Sequence, residues 1–133
     1  MDGVVIVLDT HALLWWALDP EKLSSAAATI VDEMERSGGF ASSISIWELG
    51  IKAKRKKIEL PLSIDELSRR IERGGVVELL PVDTTTCLRS LALPWEHQDP
   101  ADRVIIATAL IKGVSLLTKD ERMHAFTGVK CVW

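Results

Sequence analysis

The run Val4-Val5-Ile6-Val7-Leu8 is apolar throughout, β-branched at four successive positions, and stops on a carboxylate, Asp9. A strand with one face in water alternates apolar and polar residues; this run does not, so both of its faces need cover. The chain is thereby directed toward a parallel sheet with helices on each side, because parallel strands are joined by long, usually helical, crossovers. The remaining sequence supplies them. HALLWWAL after Asp9 and Thr10 reads as a helix, Asp19-Pro20 punctuates, and Ser24 or Ser25 caps a second helix running through AAATIVDEMERS to Gly38-Gly39. Phe40 to Ser42 is a short strand candidate, SISIWELGIKAKRKK a helix, and Ser63 to Arg73 another, closed by Gly74-Gly75. Val76 to Val82 reads as a strand and Thr84 to Leu93 as a helix. A further helix opens at Asp99-Pro100 and ends at Lys112-Gly113, followed by a strand from Val114 to Thr118 and a last one in VKCVW. Strands alternating with helices predict an α/β fold.

A chain of 133 residues, 47% of them hydrophobic, suits a single domain over residues 1–133 with one well-formed core. Its apolar runs fall well short of the ~20 residues of a membrane span. MDGVVIVLD has neither the basic start nor the small-residue cleavage site of a signal peptide, so a soluble, cytoplasmic protein is expected. Cys87 and Cys131 lack metal-ligand spacing and are expected to be reduced thiols in apolar surroundings. A formal net charge of -3 excludes a global positive field, so nucleic-acid binding would rest on a local patch.

Ligands of open parallel sheets bind beyond the carboxyl ends of the strands. Asp9 follows the first strand and Asp120 follows Val114 to Thr118, while Glu48 is expected to open the helix after the strand ending near Ser42. Asp99 and Asp102 stand at another helix mouth. Carboxylates gathered from such distant segments repel one another unless protons or cations neutralise them. Oxygen ligands without a matching set of histidines or cysteines suit a hard ion, Mg²⁺ or Mn²⁺. Each acid also has a purely structural reading. Ser45-Ile46-Trp47-Glu48 matches a capping box, as does Ser63-Ile64-Asp65-Glu66. Asp99-Pro100-Ala101-Asp102 places an N-cap, a first-turn proline and an acid where the helix dipole favours them. Asp120 suits a turn, and Asp9 has only a helix cap as its alternative. Behind Asp102 and Arg103, VIIATALI is apolar all round, which marks a buried helix whose mouth carries the charge.

The ordered set LDTHALLWW, SSISIWELGIKAKRKKIELP, HQDPADRVIIATAL and LLTKD resembles the PIN domain, specifically the VapC-type toxins of toxin–antitoxin pairs, over nearly the whole chain. The resemblance implies a three-layer α/β/α sandwich around a mainly parallel five-stranded sheet. It also implies a Mg²⁺- or Mn²⁺-dependent endoribonuclease that hydrolyses RNA, acts as the toxin of a type II pair, forms a homodimer and is inhibited by a VapB-type antitoxin. Matched position by position, the catalytic and metal-holding acids are Asp9, Glu48, Asp102 and Asp120, with Asp9 and Asp102 as the main bridge. Asp99 belongs to the His-x-Asp-Pro-x-Asp-Arg variant and is expected behind the ligands. Ala101 departs from the bulkier residue common there. Arg103 is expected to pair with a site carboxylate or touch phosphate, and His11 and His97 to orient the acids or contact substrate. Lys52, Lys54, Arg55, Lys56 and Lys57 are candidate phosphate contacts, though cations late in a helix also complement its dipole. The antitoxin groove of the family would draw on Trp15, Trp16 or Trp47, although a core placement is the stronger expectation for each tryptophan alone.

Three rivals stand beside this reading. A catalytically silent PIN-like regulatory binding protein would keep the fold without the chemistry. A receiver-like signalling domain would use Asp83 as phosphoacceptor and Lys119 as its late lysine, but leaves Glu48 and Asp102 unexplained. A haloacid-dehalogenase-like phosphatase would need a second aspartate where His11 stands.

Overall fold

The structure is a computed structural model and describes residues 5–133. Among them, β1 (Ile6–Leu8), β2 (Gly39–Ser42), β3 (Val77–Leu80), β4 (Ser115–Leu117) and β5 (Cys131–Val132) form one sheet. Every pairing is parallel, in the order β3-β2-β1-β4-β5. The crossovers are α1 (Thr10–Leu18), α2 (Ser25–Ser37), α3 (Ser43–Lys54), α4 (Ile64–Gly74), α5 (Thr84–Ala92), α6 (Pro100–Lys112) and a short α7 (Glu121–His124), with a 3-10 turn at Pro20–Lys22. Val4, the first residue of the expected opening strand, lies outside the described residues, and Val5 precedes β1.

The unbroken apolar run of β1 is explained by what covers it. Ile6, Val7 and Leu8 are all fully buried in the centre of the sheet. Ile6 and Leu8 face one core layer, with Ala12 and Leu13 of α1, Val31 and Met34 of α2, Leu49 of α3 and Leu67 of α4. Val7 faces the other, with Ile105, Ile106 and Ala109 of α6 and with Met123, Phe126 and Val129. Burying each such aliphatic side chain contributes roughly 1.5–3 kcal/mol, so the two-sided packing fixes the register of the strands. α6 is the most deeply set helix, buried from Val104 through Ala109, and ends on Gly113, whose φ of 68° suits a residue without a Cβ.

Several local expectations are corrected. Ser42, not Ser45, caps α3: its hydroxyl accepts from the Ile44 amide at 3.1 Å. Ser45 is buried within the helix, so the Ser45–Glu48 capping box does not form, and Glu48 lies in the second turn instead of opening the helix. α3 also ends earlier than the lysine run suggests, leaving Lys56 beyond it in a left-handed conformation at φ 57°. Ser63 does cap α4, accepting from the Glu66 amide, but the Glu66 carboxylate turns to Arg69, Arg70 and Arg73. Cys87 is exposed and Cys131 half-buried, so neither is a core thiol, and both are free. Trp47 is 61% exposed, against the core placement expected of it, while Trp15 and Trp16 are half-buried.

The receiver-like alternative fails on topology. Such domains order their strands 2-1-3-4-5, whereas here β3 is an edge strand and Asp83 caps α5 by accepting from the Thr86 amide and hydroxyl. Among the described residues no helix is long and apolar enough to cross a membrane.

Candidate active site

Strand register builds the site. Leu8 pairs with Leu117 of β4 and Ala41 of β2, so the chain leaves the sheet at one level through Asp9, Thr118 and Ser42. Asp9 is the N-cap of α1: its Oδ1 accepts from the Ala12 amide at 2.8 Å and its Oδ2 from the Thr118 hydroxyl at 2.5 Å. It is only 6% exposed. Burial pushes its carboxyl up from 3.8 to about 6; the two hydrogen bonds oppose this, and the negative fields of Asp120 and Glu48 add to it.

Thr118 was not singled out by the sequence reading. Its oxygen also accepts from the Asp120 amide at 3.0 Å, so one hydroxyl links both acids. The available signal was its place at the end of an apolar strand, two residues before an acid. Asp120 caps α7 and forms a two-pronged pair with the Arg122 guanidinium, at 3.2 Å from Nε and 2.9 Å from Nη2, which holds its carboxyl below the usual range.

Glu48 joins the site through α1. Its Oε1 accepts from the Thr10 hydroxyl at 2.5 Å, and Ser45 Oγ lies 2.9 Å from Thr10 Oγ1. Because the single Thr10 proton is committed to Glu48, Ser45 is the donor to Thr10. The other Glu48 oxygen is 3.8 Å from Lys52 Nζ. Lys52 therefore borders the acids, whereas Lys54, Arg55 and Lys56 extend as exposed cations at the end of α3, and Lys57 follows them.

Asp102 sits in the first turn of α6, its amide donating to the capping Asp99 Oδ1 at 3.0 Å. Its Oδ2 is 2.6 Å from His97 Nε2, and burial raises its carboxyl above the usual range against that bond. The His97 ring lies against Trp95 at a tilt of 47°, centroids 4.7 Å apart, and Trp95 in turn makes an edge contact with Phe126. Arg103 corrects an expectation. Among the described residues its guanidinium pairs with no carboxylate and instead donates to the carbonyls of Ser90, Leu91, Leu93, Trp95 and His97. The connection from α5 to α6 lacks regular structure, and these carbonyls are satisfied by the planar five-donor fork of arginine. His11 stacks obliquely on Trp15 with centroids 5.5 Å apart; burial and then the Lys52 charge lower its pKa, while Glu48, Asp102 and Asp120 oppose.

The acids thus share one field at the carboxyl edge of the sheet, but they are not a ready-made cage. As the side chains stand, no three His, Cys, Asp or Glu groups among the described residues converge closely enough to hold an ion. Repulsion between like charges favours turning each carboxylate to its own donor, namely His97, Arg122 and Thr10. The donor set is nevertheless all oxygen and strongly acidic, the chemistry that hard divalent ions take. The Asp120–Arg122 pair is an exposed one that exchanges at little cost. In donor type and mutual field, the residues fit Mg²⁺ or Mn²⁺.

A wholly parallel α/β sandwich whose central strands β1 and β4 lead into acids at one edge of the sheet is the class of domain that the fold and the site define. Within it, the family model of the PIN domain matches residues 6–129, and the chain belongs to that family. It is 31% identical over 121 residues, covering 90% of each chain, to Ribonuclease VapC22 of Mycobacterium tuberculosis. Similar folds occur in a toxin–antitoxin complex from Klebsiella pneumoniae, with 20% identity, 96% of each chain covered and a TM-score of 0.64. Another is VapBC2 from Rickettsia felis bound to a DNA fragment from its promoter, with 12% identity, 97% and 98% coverage and a TM-score of 0.67.

Proposed function

We propose that this chain is an endoribonuclease dependent on Mg²⁺ or Mn²⁺, the toxin of a type II toxin–antitoxin pair restrained by a VapB-type antitoxin, working as a single catalytic domain in a homodimer. The observation that carries the reading is Asp9, a buried carboxylate at the end of the central strand, lifted to about 6 and set within the fields of Glu48 and Asp120. The PIN-family membership and the relative named as a ribonuclease support it.

In this reading Asp9, Glu48, Asp102 and Asp120 hold the ion. When bound, it offsets their charge and the charge that develops on phosphate during hydrolysis. The protein's own residues supply orientation. Thr118 fixes the Asp9 carboxylate, Thr10 with Ser45 behind it fixes Glu48, and His97 fixes Asp102. Asp99 starts α6 so that Asp102 falls in its first turn, and Arg103 supports the loop that carries His97. Lys52 at the border of the acids, with the exposed Lys54, Arg55 and Lys56 following it in the chain, would meet an RNA backbone that the acids alone would repel.

The groove beside α3 suits the antitoxin. It has a volume of about 950 Å³ and is lined by Ile46, Trp47, Ile51, Ile58, Leu62 and Ile64 among others. The test of the whole reading is incubation of the purified, antitoxin-free chain with a mixed cellular RNA pool and Mg²⁺ or Mn²⁺. Discrete fragments that vanish with chelator and return with Mn²⁺ are expected. Intact RNA beside a folded protein would overturn it.

A further inference from the structure

Trp15 is placed unlike its neighbour in sequence. Trp16 packs against the core layer that also holds Leu13 and Leu49, but Trp15 belongs to neither core cluster and is half-buried all the same. Its cover comes from the site. His11 lies obliquely at 5.5 Å between centroids, Trp133 at 5.7 Å and 58°, and Lys119 Nζ stands 5.7 Å from the Trp15 centroid. Trp15, His11 and Lys119 together with Asp9 and Asp120 line one cavity of about 240 Å³. An aromatic wall and an exposed cation therefore share a cavity with two of the acids.

We infer that Trp15, backed by Trp133 and flanked by His11, is a stacking platform for one unpaired nucleobase of the RNA, with Lys119 on the adjoining phosphate. The inference rests on the ribonuclease reading and deepens it by naming what the cavity binds. A strand whose phosphate lies at Asp9 and Asp120 must put a neighbouring base somewhere in the same cavity, and an indole face accepts any base because every base has a π-face. The Lys119 ammonium over Trp15 is supplied by a flexible chain, so it can yield the ring and turn to phosphate while remaining beside it. A base inside a duplex is stacked on both faces and paired along one edge, so it cannot offer its face. The platform therefore selects single-stranded segments and loops over helices.

The experiment is a titration of the full chain, with Ca²⁺ in place of Mg²⁺ so that the strands stay whole, with a short single-stranded oligoribonucleotide pool of random sequence, and separately with a fully paired RNA duplex, read by tryptophan fluorescence and by anisotropy of a labelled strand whose length is checked after the titration. Trp15→Leu keeps apolar bulk without the aromatic face, and Trp15→Phe keeps a face. Expected are quenching by single strands but not by duplex, affinity about tenfold weaker in Trp15→Leu, and near wild-type affinity in Trp15→Phe. Thermal unfolding of Trp15→Leu within a few degrees of wild type separates this loss from misfolding. Unchanged affinity in Trp15→Leu, or equal affinity for duplex, would overturn the platform while leaving an RNA-binding nuclease. Failure of the wild-type chain to bind either RNA would overturn the ribonuclease reading and the platform together.

Discussion

The Thr118 hydroxyl donates to Asp9 Oδ2 across 2.5 Å, joining the ends of two neighbouring strands that lie 109 residues apart in the chain. The same oxygen accepts from the Asp120 amide, so Thr118→Val strips a donor from one acid and an acceptor from the other. The loss costs about 1–3 kcal/mol of stability. Because that bond holds the Asp9 carboxyl down, its removal lifts it further above about 6, and the acid limb of the pH–rate profile moves to higher pH. Urea unfolding and cleavage rates across pH measure the two effects separately.

Asp9 also makes the stability of the chain depend on pH. Its carboxyl stands at about 6 when folded against an ordinary 3.8. Between those values the folded chain keeps a proton that the unfolded chain has released, so stability falls as pH rises through the window. At neutral pH the penalty reaches about 3 kcal/mol. Asp9→Asn keeps an oxygen for the Ala12 amide but loses the acceptor of the Thr118 hydroxyl, so the sign is read from the pH dependence: in chelator its melting temperature relative to wild type is expected to rise by several degrees between pH 4 and pH 7.5. A difference that stays flat across that window would contradict the raised carboxyl.

Arg103→Lys replaces a planar fork with a point charge and leaves several of the carbonyls from Ser90 to His97 without a donor. The substitution is expected to cost about 2 kcal/mol or more in urea unfolding. Cleavage falls too, because His97 loses its support. A variant of unchanged stability would show that the loop holds itself.

The sequence made the central strand and the α6 mouth legible because both are local signals. A run without alternation means cover on two faces, and Asp-Pro followed by an acid and an apolar stretch marks a helix start. Glu48 was harder. The local pattern Ser45-Ile46-Trp47-Glu48 reads as a capping box that does not form, and the partner Glu48 uses instead, Thr10, lies on α1 far away in the chain. Arg103 stood out in the sequence but its partners did not, since they are backbone carbonyls whose positions no residue type encodes. The exposure of Trp47 was equally hidden, because an aromatic side chain reads the same in a core as on a binding surface.

That exposed indole carries a prediction about the partner. Trp47 borders the apolar groove and is 61% exposed, so Trp47→Ser is expected to change stability by no more than about 0.5 kcal/mol. In the proposed complex it weakens antitoxin affinity by about thirtyfold, as loss of a buried aromatic anchor does. Titrating the cognate antitoxin into a cleavage assay measures this, and undiminished inhibition would move the partner to another face.

The central claim is tested most directly by Asp102→Asn, assayed for RNA cleavage in Mg²⁺ beside wild type with both followed by thermal unfolding. The account predicts that cleavage drops by on the order of a hundredfold or more while the melting temperature stays within a few degrees. Cleavage at the wild-type rate by a folded Asp102→Asn would contradict it.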